Sequence, residues 1–290
     1  MKKPNFFIIG APKCGTTSLA AWLSEHPSVY MSPIKEPDYF YTNEKISSLR
    51  EYEQLFEGAG PEHIAVGEAS VRYLYSQRAI PNILHHYGEK VKFIVMLRNP
   101  IDMAPSLHRQ RVHSLNENEA NFEKAWRLQN EDGSPRKGLS KNCYTPETNN
   151  YGPFCKLGEQ IERLFQNINS RHSKLILLDD IRLDPRRVWL DLMDFLEIED
   201  DGRVNFEARN KAKTVRNRFL HKTFRKLEKV KKNIGIQKSI KLLRPLYNWN
   251  VVEEPCSPLS ETMRAELREY FKDDIQKLSL ILNRDLSHWR

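Results

Sequence analysis

Short apolar runs and amphipathic stretches alternate along the chain. The runs are continuous, which is typical of strands buried on both faces of a parallel sheet. Helical spacing between them predicts an α/β fold, a P-loop-like parallel sheet with helices on both faces. The predicted strands cover residues 6–9, 28–32, a segment that starts at Ala65, 91–97 and the run KLILL from Lys174.

Helix-start and helix-stop signals define the predicted helices. One helix follows Thr16 and stops near His26-Pro27, and another opens on Asp184-Pro185, because proline favours the first helical position. A single amphipathic helix is predicted over 151–168. The other predicted helices cover 51–56, a segment from Ile101 or Asp102, part of 122–129, a stretch within 222–247, and 260–283.

Composition and charge limit the class of protein. The chain of 290 residues fits a single domain over 1–290, in which the polar residues 114–150 form an insertion. Its net charge of +8 comes from one basic segment, residues 203–247. From Arg203 to Arg244 this segment contains 15 Lys or Arg and only two acidic residues. That segment suits an anionic ligand, a membrane surface or solvent.

Location is predicted from what precedes the first strand. No run of about 18 apolar residues occurs, so no membrane span is expected. The first strand begins at Asn5 or Phe6, which leaves no room for a signal peptide, so the chain is expected to be cytoplasmic if Met1 is the natural start. The four cysteines follow no metal-ligand spacing and are expected to be free thiols, with a Cys143–Cys155 bridge left open.

A glycine loop joins the first predicted strand to the first helix. In FFIIGAPKCGTTSLAAWL, Gly10 and Gly15 have the spacing of the nucleotide-triphosphate loop G-x-x-x-x-G-K-[ST]. Thr16 stands where that motif has its lysine, and Lys13 lies inside the loop instead. Free N–H groups and the helix dipole point into such a loop, so we predict an anion site.

The carboxyl ends of parallel strands share one edge of a sheet, where ligands bind. This edge should carry the glycine loop, Glu68 to Ser70, and Arg98. A nucleotide kinase needs an acid near this point to help hold magnesium. The strongest predicted strand ends instead in a cation, Arg98, with Asp179-Asp180 as the alternative acids. The sequence therefore predicts a nucleotide with anions at two places, bound without metal.

Two motifs then resemble those of a known family. IIGAPKCGTTSLAAWLSEHPSVYMSPIKEPDYF resembles the 5′-phosphosulfate loop of sulfotransferases that use 3′-phosphoadenylyl sulfate, and VMLRNPIDMAPSLHRQ resembles their 3′-phosphate loop. The likeness continues to the C terminus and covers nearly the whole chain. KEPDYF resembles the carbohydrate and heparan-sulfate-type enzymes and their bacterial relatives.

This resemblance implies a sulfotransferase fold and a role for each matching residue. Lys13 would bridge the phosphosulfate, and Glu36 would be the catalytic base. The late basic loop NKAKTVRNR would lie over the nucleotide, with Lys213 and Arg216 as its contacts. Glu68 and Ser70 would position the acceptor. The remaining donor contacts would be Cys14, Gly15, Thr16, Thr17 and Ser18 at the 5′ end, and Arg98 with Ser106 at the 3′-phosphate.

The predicted reaction moves a sulfuryl group in line to a hydroxyl, or to an amine, of a carbohydrate or of another glycan-linked or lipid-linked acceptor. An anionic acceptor would suit the basic segment. Residues 114–150 would form the wall of the acceptor site. Peripheral membrane contact through the basic segment stays open. Nucleic acid is disfavoured, because aromatic residues are sparse among the charges.

Other interpretations of the same residues remain at this stage. One alternative is a nucleotide kinase with a degenerate P-loop, and another is a basic module that binds membranes or polyanions. Glu36 could be a solvated acid that pairs with Lys35 or Lys13. Glu68 and Ser70 could serve a helix cap. Pro37 predicts an extended backbone at Glu36, because proline disfavours helical conformations in the residue before it.

Overall fold

A computed structural model describes residues 2–42, 46–130, isolated positions between 132 and 143, 145–209, 213–215, 223, 249, 251–253 and 258–289. Its centre is a five-stranded parallel sheet with the order β2-β3-β1-β4-β5. The strands are β1 (Phe6–Gly10), β2 (Val29–Met31), β3 (Ala65–Ala69), β4 (Lys92–Leu97) and β5 (Ser173–Leu177). The predicted parallel α/β fold is therefore confirmed.

Helices connect the strands, in the alternation that the sequence predicted. They are α1 (Thr16–Ser24), α2 (Leu49–Gln54), α3 (Ala79–Tyr87), α4 (Pro100–His113), α5 (Phe122–Arg127), α6 (Tyr151–Cys155), α7 (Leu157–Asn167), α8 (Leu178–Leu183), α9 (Pro185–Leu196) and α10 (Glu261–Leu282). The predicted start at Asp184-Pro185 is confirmed, because the Asp184 carboxylate accepts a hydrogen bond of 3.0 Å from the N–H of Arg187 and caps α9.

The single helix predicted over 151–168 is wrong. The chain leaves the helical conformation at Lys156, where ψ is 88°, and divides into α6 and α7. A distant carboxylate explains the break, since Asp274 of α10 accepts hydrogen bonds of 2.9 Å from the N–H groups of both Gly158 and Glu159. A cap from another helix can start α7 where the local sequence alone would continue one helix.

The chain packs as two compact units. The first comprises residues 1–103, 155–210 and 265–290 and contains the five-stranded sheet. The second comprises residues 104–154 and 211–264 and contains α5 and a two-stranded antiparallel sheet of β6 (Lys213–Val215) and β7 (Val251–Glu253). The helix predicted within 222–247 lies outside the described residues, apart from Thr223. The single domain over 1–290 stays a prediction.

The order of the sheet determines where its loops diverge. β1 lies between β3 and β4, so the chain leaves β1 toward one side of the sheet and later crosses over to the other. Ligands of open α/β sheets bind at this kind of reversal, outside the carboxyl ends of the strands. The loop after β1, the segment after β3 and the residues after β4 all start from this point.

Candidate functional site

The loop after β1 is shaped by its two glycines. A Cβ atom on Gly10 would lie 2.9 Å from the Cβ of Leu74 and 3.1 Å from the carbonyl oxygen of Val71, so a larger residue would push the loop away from the segment after β3. Gly15 has a left-handed φ of 95° and forms the N-cap of α1. Glycine is the residue that adopts this conformation without a steric cost.

The first turn of α1 is left open to a ligand. Gly15 provides no side-chain cap, and the first turn contains no acidic residue. The carbonyl of Gly15 accepts hydrogen bonds from the N–H groups of Ser18 and Leu19, which leaves those of Thr16 and Thr17 without an intrahelical partner. Backbone donors and the positive end of the helix dipole thus point out of the loop, as anion binding requires.

Arg98 and Lys13 contact each other at this loop. The guanidinium of Arg98 donates a hydrogen bond of 3.2 Å to the carbonyl oxygen of Lys13, and its Nε is buried without a hydrogen-bond partner among the described residues. Lys13 itself has a left-handed φ of 66°. A buried donor with no partner is costly, so an anion that accepted from Arg98 would be favoured.

Cys14 lies inside the same loop but faces the protein interior. Its side chain has no exposed surface, and its thiol lies 3.4 Å from the carbonyl oxygen of Pro12. Burial raises the pKa of the Cys14 thiol to about 12. Only the backbone of Cys14 can therefore contribute to an anion site.

Glu36 lies on the loop that follows β2, and its backbone is held beside β3. Its N–H donates a hydrogen bond of 3.0 Å to the carbonyl of Ala69, and Lys35 forms an ion pair of 2.6 Å with its carboxylate. The side chain of Glu36 is 26% exposed, so it remains accessible to a ligand. The extended backbone predicted from Pro37 is wrong, because Glu36 has a φ of 56°.

The strained conformation at Glu36 has a structural cause. Asp38 has a φ of 55°, so two of three consecutive residues are left-handed. Such residues cost on the order of 1–3 kcal/mol each and persist only where surrounding contacts impose them. Hydrogen bonds from the loop to the end of β3 and to the segment after it therefore outweigh the preference of a residue before proline for an extended backbone.

Glu68 and Ser70 are both fully buried. One oxygen of Glu68 accepts a hydrogen bond of 3.1 Å from the hydroxyl of Tyr52, and the Ser70 hydroxyl accepts one of 3.0 Å from the N–H of Asp38. The bond to Ser70 holds the loop that carries Glu36, and the bond to Glu68 joins α2 to β3. Because neither residue has exposed surface, direct contact of either with an acceptor would require this loop to move.

The burial of Glu68 predicts a pH dependence of stability. Burial raises the pKa of Glu68 to about 8 from an ordinary 4.5. The folded protein therefore keeps a proton that the unfolded chain releases, so its stability is fully present below pH 4.5 and falls as the pH rises toward 8. Glu68→Gln should flatten this decline in melting temperature, measured by thermal unfolding across that range. Parallel profiles for the two proteins would contradict this account.

The alternative acids after β5 are already bound by other side chains. Arg284 forms two hydrogen bonds of 2.6 Å with Asp180, and the indole N–H of Trp289 donates one of 2.8 Å to Asp179. In the described part of the chain, no group of three or more His, Cys, Asp or Glu side chains is arranged to hold a metal ion. These two carboxylates thus fasten the C-terminal segment to the sheet unit.

The other predicted contacts have separate positions. Thr16 is buried at the start of α1, and Ser106 is buried on α4 in the second unit. Lys213 begins β6 of that unit, and Arg216 lies outside the described residues. Within the first unit, the structure places Arg98 against Lys13 of the glycine loop and holds the backbone of Glu36 beside the end of β3.

Two residues at this site were missed by the sequence interpretation, Asp38 and Arg72. Asp38 is fully buried and forms an ion pair with Arg72, whose side chain is 16% exposed. The only signal of Asp38 in the sequence was its place within KEPDYF. Arg72 gave none, since no periodicity connects it with a loop more than thirty positions earlier.

Comparison with known proteins shows the family of the chain. A model of the sulfotransferase domain matches residues 3–277. The chain belongs to the sulfotransferase family. This sulfotransferase superposes on the crystal structure of a sulfotransferase from Alicyclobacillus acidocaldarius with a TM-score of 0.72 and 26% identity, over 100% of both chains. The predicted resemblance to sulfotransferases is thereby confirmed.

Curated relatives include enzymes that act on carbohydrates. Carbohydrate sulfotransferase 15 of Mus musculus is 28% identical over 144 residues, which cover 34% of this sulfotransferase and 26% of that protein. The bifunctional heparan sulfate N-deacetylase/N-sulfotransferase of Drosophila melanogaster is 26% identical over 217 residues, or 68% and 20% of the two chains. The chain thus spans about a quarter or less of the length of these relatives.

A mouse structure extends the likeness of the fold. Mouse sulfotransferase SULT7A1, solved in complex with PAP, superposes with a TM-score of 0.50 at 14% identity, over 95% of this sulfotransferase and 85% of that chain. At this identity the likeness concerns the fold alone. Within the described residues, no helix is both long and apolar enough to cross a membrane.

Proposed function

We propose that this sulfotransferase moves a sulfuryl group from 3′-phosphoadenylyl sulfate to a hydroxyl, or to an amine, of a carbohydrate or a related glycan-linked or lipid-linked acceptor. The observation that carries the proposal is the open N-terminus of α1 beside the contact between Arg98 and Lys13. Backbone donors and two cations meet there, as a donor with several anionic groups would need.

Each part of the donor site has a function in this proposal. The N–H groups and hydroxyls at Thr16 and Thr17, with Gly15 and Ser18, hold the 5′-phosphate. Lys13 stabilises the negative charge that grows on the leaving phosphate as the sulfuryl group departs. Arg98 binds the 3′-phosphate, and Ser106, Lys213 and Arg216 are proposed as further nucleotide contacts. The protein's own cations supply the charge in this scheme, so no metal is proposed.

Glu36 is the proposed general base. The acceptor oxygen must lose its proton as it attacks sulfur, and a carboxylate within about 3 Å can accept that proton. Glu36 is partly exposed, and the segment that holds its backbone also contacts Gly10 of the donor loop. Transfer in line depends mainly on positioning and charge stabilisation, and these residues provide both.

The class of acceptor is proposed from three observations. The curated relatives named above act on carbohydrates, according to their names. KEPDYF resembles the motif of such enzymes, and the basic segment over 203–247 suits an anionic or membrane-associated acceptor. Incubation with radiolabelled donor and a panel of desulfated glycosaminoglycan oligosaccharides, neutral glycosides, amino sugars and glycolipid vesicles would identify it. The cytoplasm is the proposed location.

Nucleotide selectivity tests the donor site without an acceptor. Adenosine 3′,5′-bisphosphate should raise the melting temperature far more than 5′-AMP, in the absence of magnesium, because only the former carries a 3′-phosphate for Arg98. Arg98→Ala should remove most of that difference, since hydrogen bonds to charged groups contribute roughly 1.5–3 kcal/mol each. Thermal-shift titrations with both nucleotides give the measurement.

A matched control separates the site from general charge. Arg78 is an exposed arginine of the same unit, and Arg78→Ala should keep the full difference between the nucleotides. Equal shifts with both nucleotides in the unaltered protein would refute the 3′-phosphate assignment. Stabilisation by ADP with magnesium, and by neither adenosine 3′,5′-bisphosphate nor 5′-AMP alone, would favour the degenerate kinase instead.

A further inference from the structure

The loop that carries Glu36 is held by one short segment, residues 69–73. The N–H of Glu36 donates to the carbonyl of Ala69 at 3.0 Å, that of Asp38 to the hydroxyl of Ser70 at 3.0 Å, and that of Phe40 to the hydroxyl of Tyr73 at 3.3 Å. Every second residue of the loop is therefore fixed by the end of β3 or the turn that follows it. These bonds impose the left-handed conformations of Glu36 and Asp38.

The same segment and the adjoining Leu74 contact the end of β1, from which the donor loop starts. The N–H of Ser70 donates to the carbonyl of Ile8 at 3.0 Å, and the N–H of Leu74 to that of Ile9 at 2.9 Å. Leu74 also packs so closely on Gly10 that an added methyl group would clash. Residues 70–74 thus join the start of the donor loop to the loop of Glu36, and Arg72 is at the middle of this connection.

Arg72 forms a side-chain ion pair with Asp38 that joins these two segments. Its Nη2 donates to the fully buried carboxylate of Asp38, its guanidinium lies 5.6 Å from the centre of the Tyr41 ring, and its Nε is buried without a hydrogen-bond partner among the described residues. A buried carboxylate requires a paired cation, so loss of either partner is costly.

We infer that Arg72 is a positioning residue for the sulfuryl transfer. Through Asp38, Arg72 fixes the loop conformation from which the Glu36 carboxylate reaches the acceptor. The inference rests on the proposed function, in which Glu36 is the base. Burial lowers the pKa of the Arg72 guanidinium, but the negative charges of Asp38 and then Glu36 raise it overall, so the guanidinium stays charged. Lys35, the other cation at Glu36, is itself 38% exposed, which limits the energy of that pair.

The test compares Arg72→Gln, Arg72→Lys and Asp38→Asn with the unaltered protein, using the acceptor of highest turnover from the panel above. Arg72→Gln and Asp38→Asn should each reduce kcat on the order of 10²-fold, the effect of a misplacement of about 1 Å. KM and the thermal shift with adenosine 3′,5′-bisphosphate should stay unchanged, because the donor loop keeps its own contacts. Arg72→Lys should recover part of kcat, since it restores the charge but not the planar shape of the guanidinium.

A double variant separates positioning from a merely structural role. If Arg72 acts through Glu36, Arg72→Gln should cost nothing further in a protein that already carries Glu36→Gln. Full additivity of the two losses would overturn the inference. So would a normal kcat in Arg72→Gln, or an equal loss in the control Arg78→Gln, which alters an exposed arginine of the same unit.

Failure of the inference can be told apart from failure of the proposed function. An unaltered protein that transfers sulfuryl groups while Arg72→Gln is equally active refutes only the role of Arg72. If Arg72→Gln unfolds, Asp38→Asn and Arg72→Lys still decide the matter, because both retain a polar partner in the buried pair. A protein that binds neither the bisphosphate nor the donor refutes the proposed function, and with it the inference.

Discussion

Glu36→Gln should bind adenosine 3′,5′-bisphosphate normally and lose roughly 10²–10⁴-fold in turnover, the usual contribution of a positioned general base. Glutamine keeps the shape and volume of the side chain and tolerates the left-handed backbone as glutamate does, but it cannot accept a proton. The donor loop does not depend on this carboxylate, so the thermal shift with the bisphosphate should be unaltered. Steady-state kinetics with the identified acceptor, beside that thermal shift, gives the measurement.

Glu68→Gln provides the control for this experiment. Glu68 is a second glutamate, within β3 and next to the segment that holds the backbone of Glu36. It has no exposed surface, and its carboxyl group accepts a hydrogen bond from Tyr52. We therefore expect Glu68→Gln to retain most of its turnover. The opposite pattern, with a nearly normal kcat in Glu36→Gln and an inactive Glu68→Gln, would make Glu68 the base and leave Glu36 as a partner of Lys35.

Lys13→Asn should lose on the order of 10²–10³-fold in kcat, as other enzymes do when one donor to the transition state is removed. Asparagine is the appropriate replacement because Lys13 has a φ of 66°, which asparagine tolerates better than alanine. Charge builds on the leaving phosphate only as the bond to sulfur breaks, so turnover should fall more than affinity for the spent nucleotide. Single-turnover kinetics and bisphosphate titration together separate the two effects.

Lys13→Arg gives a matched comparison, because it preserves charge at the same backbone position. It should retain more turnover than Lys13→Asn, though less than lysine, since the planar guanidinium differs in shape and reach from an ammonium group. A loss that appears only in KM for the donor would identify Lys13 as a ground-state anchor rather than a group that stabilises the transition state.

Local sequence signals predicted the fold and the position of the glycine loop well. The apolar run of β1, the glycines at positions 10 and 15 and the threonines that begin α1 are contiguous, so one stretch specifies strand, loop and helix together. The parallel arrangement of the strands then followed from their continuous apolar runs and their alternation with helices, whereas the order of the strands came only from the structure. The position of Arg98 at the edge of the sheet was also predicted locally, since Arg98 directly follows the apolar run of β4.

The features that the sequence did not predict depend on contacts between distant parts of the chain. The cap that Asp274 provides for α7 divided a helix that looked continuous. The backbone of Glu36 adopts a conformation that Pro37 disfavours, because Ala69 and Ser70 hold the loop from outside. Arg72 pairs with Asp38 only after β2 and β3 are adjacent. Such contacts leave no periodic pattern in either segment, and sequence alone cannot show them.

The central place of β1 also has a consequence for how the chain is made. Phe6 is translated before both of its strand partners, since it pairs with Gly67 on one side and Lys92 on the other. Parallel pairing over such separations is intrinsically slow and leaves apolar strands exposed in the meantime. The glycine loop is therefore translated before β4 but gains its final shape only after β4 has been synthesised.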